Sequence, residues 1–405
     1  MRLIALGQYS RTVFSSRTAW NLAPNRFSQA LERQRASGRQ LLDLSASNPT
    51  QAGLDYDGQA ILSSLCNPAA LEYRPEPRGL QVARNAVARY YAEHGVNVDP
   101  ERVVLTTSTS EAYSFIFRLL ANAGDELLVP APSYPLFQFL ADLQDVRLVP
   151  YSLFYDHGWH MDVPSVRRAL SARTRAVIVV HPNNPTGSFV KPAEAAELSA
   201  LCASRELALL ADEVFLDFAH HETPGLHQSF ASHAGCLTFT LSGLSKIAGL
   251  PQMKLAWVVS TGPNDLVREA TSRLEVIADT YLSMSAPIQL AAPALFSTRH
   301  SFQRRLKARI AANLAELDRQ LSAQSFCSRL AVEGGWYAVL RVPATGSDED
   351  LAISLLEREG VLVHPGHFYD FRSEGYLVVS LITPEGDFRE GISRVLAQIA
   401  NWVTR

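Results

Sequence analysis

AVIVVHPNNPTGSFVKPAEAAELSALCASRELALLADEVF (176–215) carries the pattern on which the fold turns. AVIVV (176–180) and LALLA (207–211) are short, wholly apolar runs, as expected of strands buried on both faces. HPNNPTG (181–187) closes the first run, because proline and glycine preset the backbone of a turn. AEAAELSALCASREL (193–207) has the spacing of an amphipathic helix and fills the interval to the second run.

The same alternation extends both ways. VVLT (103–106), ELLVP (126–130) and VRLVPY (146–151) come before, and LTFTL (237–241) and LAWVV (255–259) come after. SEAYSFIFRLLANAG (110–124) reads as a helix ending at Gly124. Strand and helix alternating in this way predict an α/β fold: a large domain with a mostly parallel seven-stranded sheet sandwiched by helices. After Asp279 the chain turns helical, through IQLAAPALF and SFQRRLKARIAANLAELDRQL. It then gives the strand-like pieces WYAVLRV (336–342), GVLVHPG (360–366) and YLVVSLI (376–382). These predict a smaller α+β domain, completed by a helix near FSQALERQRASG (27–38). The expected division is residues 1–45 as N-terminal arm and small-domain segment, 46–289 as the large domain and 290–405 as the small domain. In MRLIALGQYSRTVFSSRTAW (1–20) the apolar stretch LIAL is too short for a signal sequence, so this opening reads as an arm.

Composition sets limits on function. A chain of 405 residues exceeds what one core organises, so two packed domains are expected. A hydrophobic share of 47% and a charged share of 19% suit a soluble globular protein. The net charge of −3 gives no pull toward nucleic acid or an anionic membrane. No apolar run reaches the roughly 20 residues of a membrane span. Cys66, Cys202, Cys236 and Cys327 are scattered, with no CxxC pair. That speaks against a disulfide framework or a metal site and for a reducing, cytoplasmic setting.

Three polar features stand at the carboxyl ends of expected strands: HPNNPTG after AVIVV, ADEVF (211–215) after LALLA, and SGLSK (242–246) after LTFTL. In open parallel sheets ligands bind beyond those ends. Asn184, Asp212 and Lys246 therefore meet in one crevice if the three strands are neighbours. Each alone also has a plain structural reading, as a turn residue, a helix cap and a solvated lysine.

The spacing from Asn184 to Asp212 is 28 residues and from Asp212 to Lys246 is 34. With these motifs in this order the chain resembles the fold-type-I, pyridoxal phosphate (PLP)-dependent aminotransferases of class I/II, the aspartate aminotransferase superfamily. YRPEPRGL (73–80), TTSTSEA (106–112), PAPSYPLF (130–137), SGLSKIAGLPQMK (242–254), EGGWYAV (333–339) and VLVHPGHF (361–368) carry the resemblance together with the three motifs above. It implies that Lys246 forms a Schiff base with pyridoxal 5'-phosphate and then serves as general acid and base. Lys254 would hold the phosphate, less directionally than an arginine fork. Asp212 would face the pyridine nitrogen and keep it protonated, and Asn184 would bind the ring 3′-oxygen. Tyr134 would stack on the ring, although an aromatic between Pro132 and Pro135 can equally serve packing. Ser108, Thr109 and Ser110 would cradle the phosphate at a helix start. Ser110 can at the same time cap that helix, with Glu111 in its first turn. Ser245 stands beside the lysine in the cofactor motif. Tyr73 would reach the phosphate of a partner copy, implying a homodimer with shared sites.

Four departures from the family pattern bear on chemistry. Phe215 stands where a tyrosine hydroxyl is usual, which predicts a more basic Schiff base than in F215Y by spectral titration. Ser108 replaces a glycine, and Gly243 a serine. Val378 falls where an arginine commonly grips the substrate carboxylate. Arg17 and Arg74 are the substrate-binding candidates in its place, together with Asn184; Arg78 and Arg372 are further candidates. Trp336, Tyr337 and Phe368 are candidates to line the site. The resemblance implies transfer of an amino group between an amino acid and a 2-oxo acid. The lack of an evident basic cluster for a side-chain carboxylate, with those aromatic candidates, favours a neutral or aromatic amino acid over a dicarboxylate. A PLP-dependent lyase, decarboxylase or biosynthetic synthase is the alternative on the same fold. A ligand-sensing regulator would need a DNA-binding head, and QRRLKAR (303–309) reads instead as the solvated face of a helix.

Overall fold

Apolar runs become strands here because burying them on both sides removes their side chains from water while the ladder satisfies their backbones. The computed structural model describes residues 13–221, 223 and 225–403; the first twelve residues of the expected N-terminal arm lie outside the described residues. From β1 (Leu42–Asp43), which belongs to a smaller layer, the chain proceeds to β2 (Val103–Thr106), β3 (Glu126–Ala131), β4 (Arg147–Tyr155) and β5 (Trp159–Met161). It continues through β6 (Thr174–Val180), β7 (Ala208–Asp212), β8 (Thr238–Gly243) and β9 (Ala256–Thr261). Strands β2 to β9 form one eight-stranded sheet in the order β2-β9-β8-β7-β6-β3-β4-β5.

The five strands from β4 to β8 in that order pair in parallel. Strand β9 runs antiparallel to both β8 and β2, so β2 points the same way as the parallel set. The sheet is mostly parallel, with one strand more than the seven apolar runs indicate. The addition is β5, which folds back antiparallel on β4 across a turn at His157, where φ is 52°. Three residues are too few to show a period in the sequence.

Alternation assigns the two faces. Ala176, Ile178 and Val180 of β6 pack with Tyr113, Ile116 and Phe117 of the helix Thr109–Leu120. Val177 and Val179 pack on the other side with Leu198, Leu201 and Cys202 of the helix Pro192–Ser204. The first of these helices ends at Leu120, short of Gly124. The chain turns extended at Ala121, and the Asn122 N–H donates to Asp125 Oδ2 at 2.9 Å. Gly124, at φ 80°, thus serves the turn into β3 and not the helix end.

The smaller layer holds β10 (Ser328–Arg329), β11 (Tyr337–Arg341), β12 (Val361–Leu362), β13 (His364–Pro365) and β14 (Tyr376–Ser380). Four of them form an antiparallel sheet in the order β10-β11-β14-β13, and β1 pairs in parallel with β12. The helix Arg26–Ala36 packs there through Phe27 and Ala30. The helix Ala286–Leu321 links the layers: Ala291, Leu295 and Phe296 lie against Trp257 of β9, while Phe302, Leu306 and Leu317 lie in the core of the smaller sheet. At 1.5 Å per residue this helix is about 54 Å long.

Candidate active site

Strands β6, β7 and β8 are adjacent and parallel, so their carboxyl ends open on one crevice. The cavity there has a volume of about 260 Å³. Asn184, Asp212, Ser245 and Lys246 line it beside Thr109, Ser110 and Tyr134. Tyr337 and Phe368 line it too, from the smaller layer.

Each polar group has a local reason for its place. Asn183 is consumed inside the protein: its Nδ2 donates to Pro132 O at 3.0 Å and to Thr186 Oγ1 at 2.9 Å, and its Oδ1 accepts from Ser133 Oγ. That ties the turn after β6 to the turn after β3 and leaves Asn184 facing the cavity. The Asn184 Oδ1 is buried without a hydrogen-bond partner among the described residues. A buried acceptor without a partner costs free energy, as expected of a group reserved for a ligand.

Asp212 closes β7 and is buried. Its Oδ2 accepts from the Tyr113 hydroxyl at 3.0 Å and its Oδ1 from the Val214 N–H at 3.1 Å. It has no ion-pair partner among the described residues. Burial pushes its carboxyl up to about 6, against the opposing pull of Val214, Tyr113 and the Lys246 charge. Its neighbour Glu213 points away and is held by Ser229 Oγ at 2.7 Å and Phe230 N at 2.5 Å.

Lys246 lies in the short helix Leu244–Ile247 that follows β8. Its Nζ is 4.9 Å from the Trp336 ring centroid, 5.6 Å from that of Phe215 and 3.5 Å from Ser47 O. Burial among these groups draws its pKa down to about 8, opposed by the Asp212 charge. An amine near neutrality and a buried carboxylate in one crevice is the environment in which acid–base and nucleophilic chemistry is set up.

The helix Thr109–Leu120 starts at the same edge. Ser108 is its N-cap and accepts from the Glu111 N–H at 3.1 Å, while Glu111 Oε2 accepts from the Thr107 N–H at 2.7 Å. Ser108 is thus spent on the helix and does not line the cavity. Thr109 and Ser110 do, and their hydroxyls have no hydrogen-bond partner among the described residues.

Other candidates lie elsewhere. Lys254 is an exposed residue at φ 51° off the cavity wall. Tyr73 is 79% exposed and sits with Arg74 in a separate groove, where Arg74 pairs with Glu72 at 2.6 Å. Arg17 lies in another depression and pairs with Asp145 at 3.5 Å. Arg78 pairs with Glu101 at 2.8 Å, and the exposed Arg372 borders a neighbouring cavity that shares Tyr134. Val378 is a buried strand residue opposite Val339 and His364. Tyr113, Ser47, His364 and Tyr369 line the cavity without having been singled out from the sequence. For Tyr113 the available signal was its place three residues after Ser110, on the same helix face.

Residues 40–395 match the family described as "Aminotransferase class I and II". The glutamate-pyruvate aminotransferase AlaA of Escherichia coli (strain K12) is 29% identical over 262 residues, covering 64% of this chain and 64% of that protein. The chain thus spans a little under two thirds of that relative's length. An alanine aminotransferase of Mycobacterium tuberculosis is 27% identical over 385 residues, covering 91% of this chain and 87% of that protein. The solved structure of an alanine aminotransferase from Pyrococcus furiosus superposes with a TM-score of 0.84 at 23% identity, over 96% of this chain and all of that one, which shows a shared fold. The family match runs from just before β1 into the last helix, Glu385–Val403, and takes in every residue of the cavity wall; the chain belongs to the class I and II aminotransferases.

Proposed function

We propose that the protein is an aminotransferase that uses pyridoxal phosphate, the cofactor of its family, to move an amino group between an amino acid and a 2-oxo acid. The observation that carries this reading is the pairing, in one cavity, of an amine drawn down to about 8 with a buried carboxylate that makes no ion pair among the described residues. A protonated ring nitrogen suits that carboxylate. The unpartnered Asn184 Oδ1 and the free hydroxyls of Thr109 and Ser110 suit the polar edge and the phosphate of the same molecule. When bound, the cofactor supplies a reactive aldehyde and a ring that delocalises the electrons left at the substrate Cα.

The chain's own residues do the rest. Lys246 is the covalent anchor and, once released, takes the proton from the substrate Cα and returns it. Its lowered pKa keeps a useful fraction of free amine at neutral pH. Asp212, positioned by Tyr113 and Val214, holds a positive charge in place. Phe215 and Trp336 flank the amine and limit water. Leu136, Phe137, Leu140 and Phe368 on the wall favour a neutral or aromatic side chain. Exposed Tyr73 supports a homodimer in which a second copy completes the site; a single chain mass in sedimentation equilibrium would remove that element. Four free cysteines support a cytoplasmic setting.

The test is a half-reaction. Amino acids from a panel are added singly to the loaded enzyme, and the spectrum is followed. A donor should convert it to the pyridoxamine form, stable until pyruvate or 2-oxoglutarate restores the original. Spontaneous return without an oxo acid would mark a lyase or decarboxylase instead.

A further inference from the structure

An amino acid or 2-oxo acid brings a carboxylate into the cavity, and a desolvated carboxylate needs donors. Among the described residues no arginine lines the wall. Arg17 and Arg74 are engaged by Asp145 and Glu72 in other depressions. The basic side chains on the wall are Lys246, which the amine chemistry occupies, and His364.

His364 sits on β13 directly opposite Val378 of β14. Opposed residues share a sheet face, and valine offers an anion nothing. The His364 Nδ1 is 2.9 Å from the Tyr369 hydroxyl. Burial holds the Tyr369 phenol well above its ordinary pKa, so it keeps its proton. With the phenol assigned as donor to Nδ1, the ring carries its own hydrogen on Nε2. The Nε2 has no partner among the described residues. Burial also lowers the imidazole pKa, against the opposing Asp43 charge, which keeps the ring neutral.

We propose that His364, oriented by Tyr369, donates from Nε2 to the substrate carboxylate and takes the place of an arginine clamp. This rests on the aminotransferase reading and sharpens it. One neutral donor holds a carboxylate less firmly than a bidentate cation, so more of the selectivity falls to the apolar walls. His364 is a binding residue in this account, and Tyr369 is a positioning residue that acts through it.

Two halves of an aromatic amino acid, one lacking the amine and the other the carboxylate, separate the contributions. The probes are 3-phenylpropanoate, which has the carboxylate without the amine, and the dead-end complex of 2-phenylethylamine, which has the amine without the carboxylate. Dissociation constants are read from the cofactor absorbance of the holoenzyme. H364F should weaken 3-phenylpropanoate by about 10-fold or more and leave 2-phenylethylamine within about 2-fold. H364Q, which keeps an N–H donor, should recover most of the loss, and Y369F should fall between. Equal loss of both probes in H364F, unchanged carboxylate affinity, or no carboxylate binding by the unmodified holoenzyme overturns the proposal. Half-reaction spectra of the same proteins keep the two readings apart. Failure of every amino acid to convert the unmodified enzyme sinks the aminotransferase reading, whereas conversion with unaltered probe affinities in H364F sinks only the role of His364.

Discussion

At the scale of residues, Lys246 sits under strain in the cofactor-free chain, because its ammonium is largely withdrawn from water and Asp212 compensates only in part. A folded pKa of about 8, against about 10.4 unfolded, means that the unfolded chain binds the extra proton between those values. The penalty is therefore full below pH ~8 and fades as the pH rises toward ~10. K246M should make the cofactor-free protein more stable at pH 7 by about 2 kcal/mol, a figure reduced for the side chain's partial exposure. Denaturant melts at pH 7 and pH 10 check this; a gain that stays constant across the range contradicts it. Asn184, Asp212 and Lys246 were legible because each interrupts or follows an apolar strand. Tyr113 was not, since within YSFIF it looks like one more core aromatic, and only the packed helix turns its hydroxyl to Asp212. His364 was equally hidden, because its place on the wall depends on how the smaller sheet docks.

Among the elements, the turn HPNNPTG does more than end β6. The Gly187 carbonyl accepts from the Gly334 N–H at 2.9 Å and from the Glu333 N–H at 3.2 Å, which joins the turn to the segment leading into β11. Glu333 also accepts from the Phe189 N–H at 2.8 Å and pairs with Lys191. Gly187 has φ 68°, and a Cβ there would lie 2.3 Å from Val332 Cγ2 and 2.4 Å from Gly334 O. G187A should cost about 2–4 kcal/mol through backbone strain and the clash together, lowering the apparent Tm by several degrees. G335A has positive φ but open space around its Cβ, so it should cost only the backbone share. Equal shifts for the two in a calorimetric scan would contradict the contact. The seven longer strands could be read from unbroken apolar runs. Strand β5 and the early end of the helix at Leu120 could not, because one is too short for a period and the other is decided by the Asn122–Asp125 turn.

Across the whole molecule, the cavity draws on both layers: the large sheet supplies Asn184, Asp212 and Lys246, while the smaller sheet supplies Tyr337 and His364. The helix Ala286–Leu321 holds the two in register by burying side chains in both cores. Which long, flexible side chains reach the cavity was beyond the sequence. An arginine's reach spans several positions, and acidic neighbours such as Asp145 and Glu72 decide where Arg17 and Arg74 come to rest. The central claim places the cofactor's covalent bond on one amine of this joint site. Borohydride reduction of the loaded protein, followed by proteolysis and peptide mass mapping, tests it most directly. The pyridoxyl group should be found on Lys246; finding it on Lys254 or another lysine, or finding no stable label, would contradict the account.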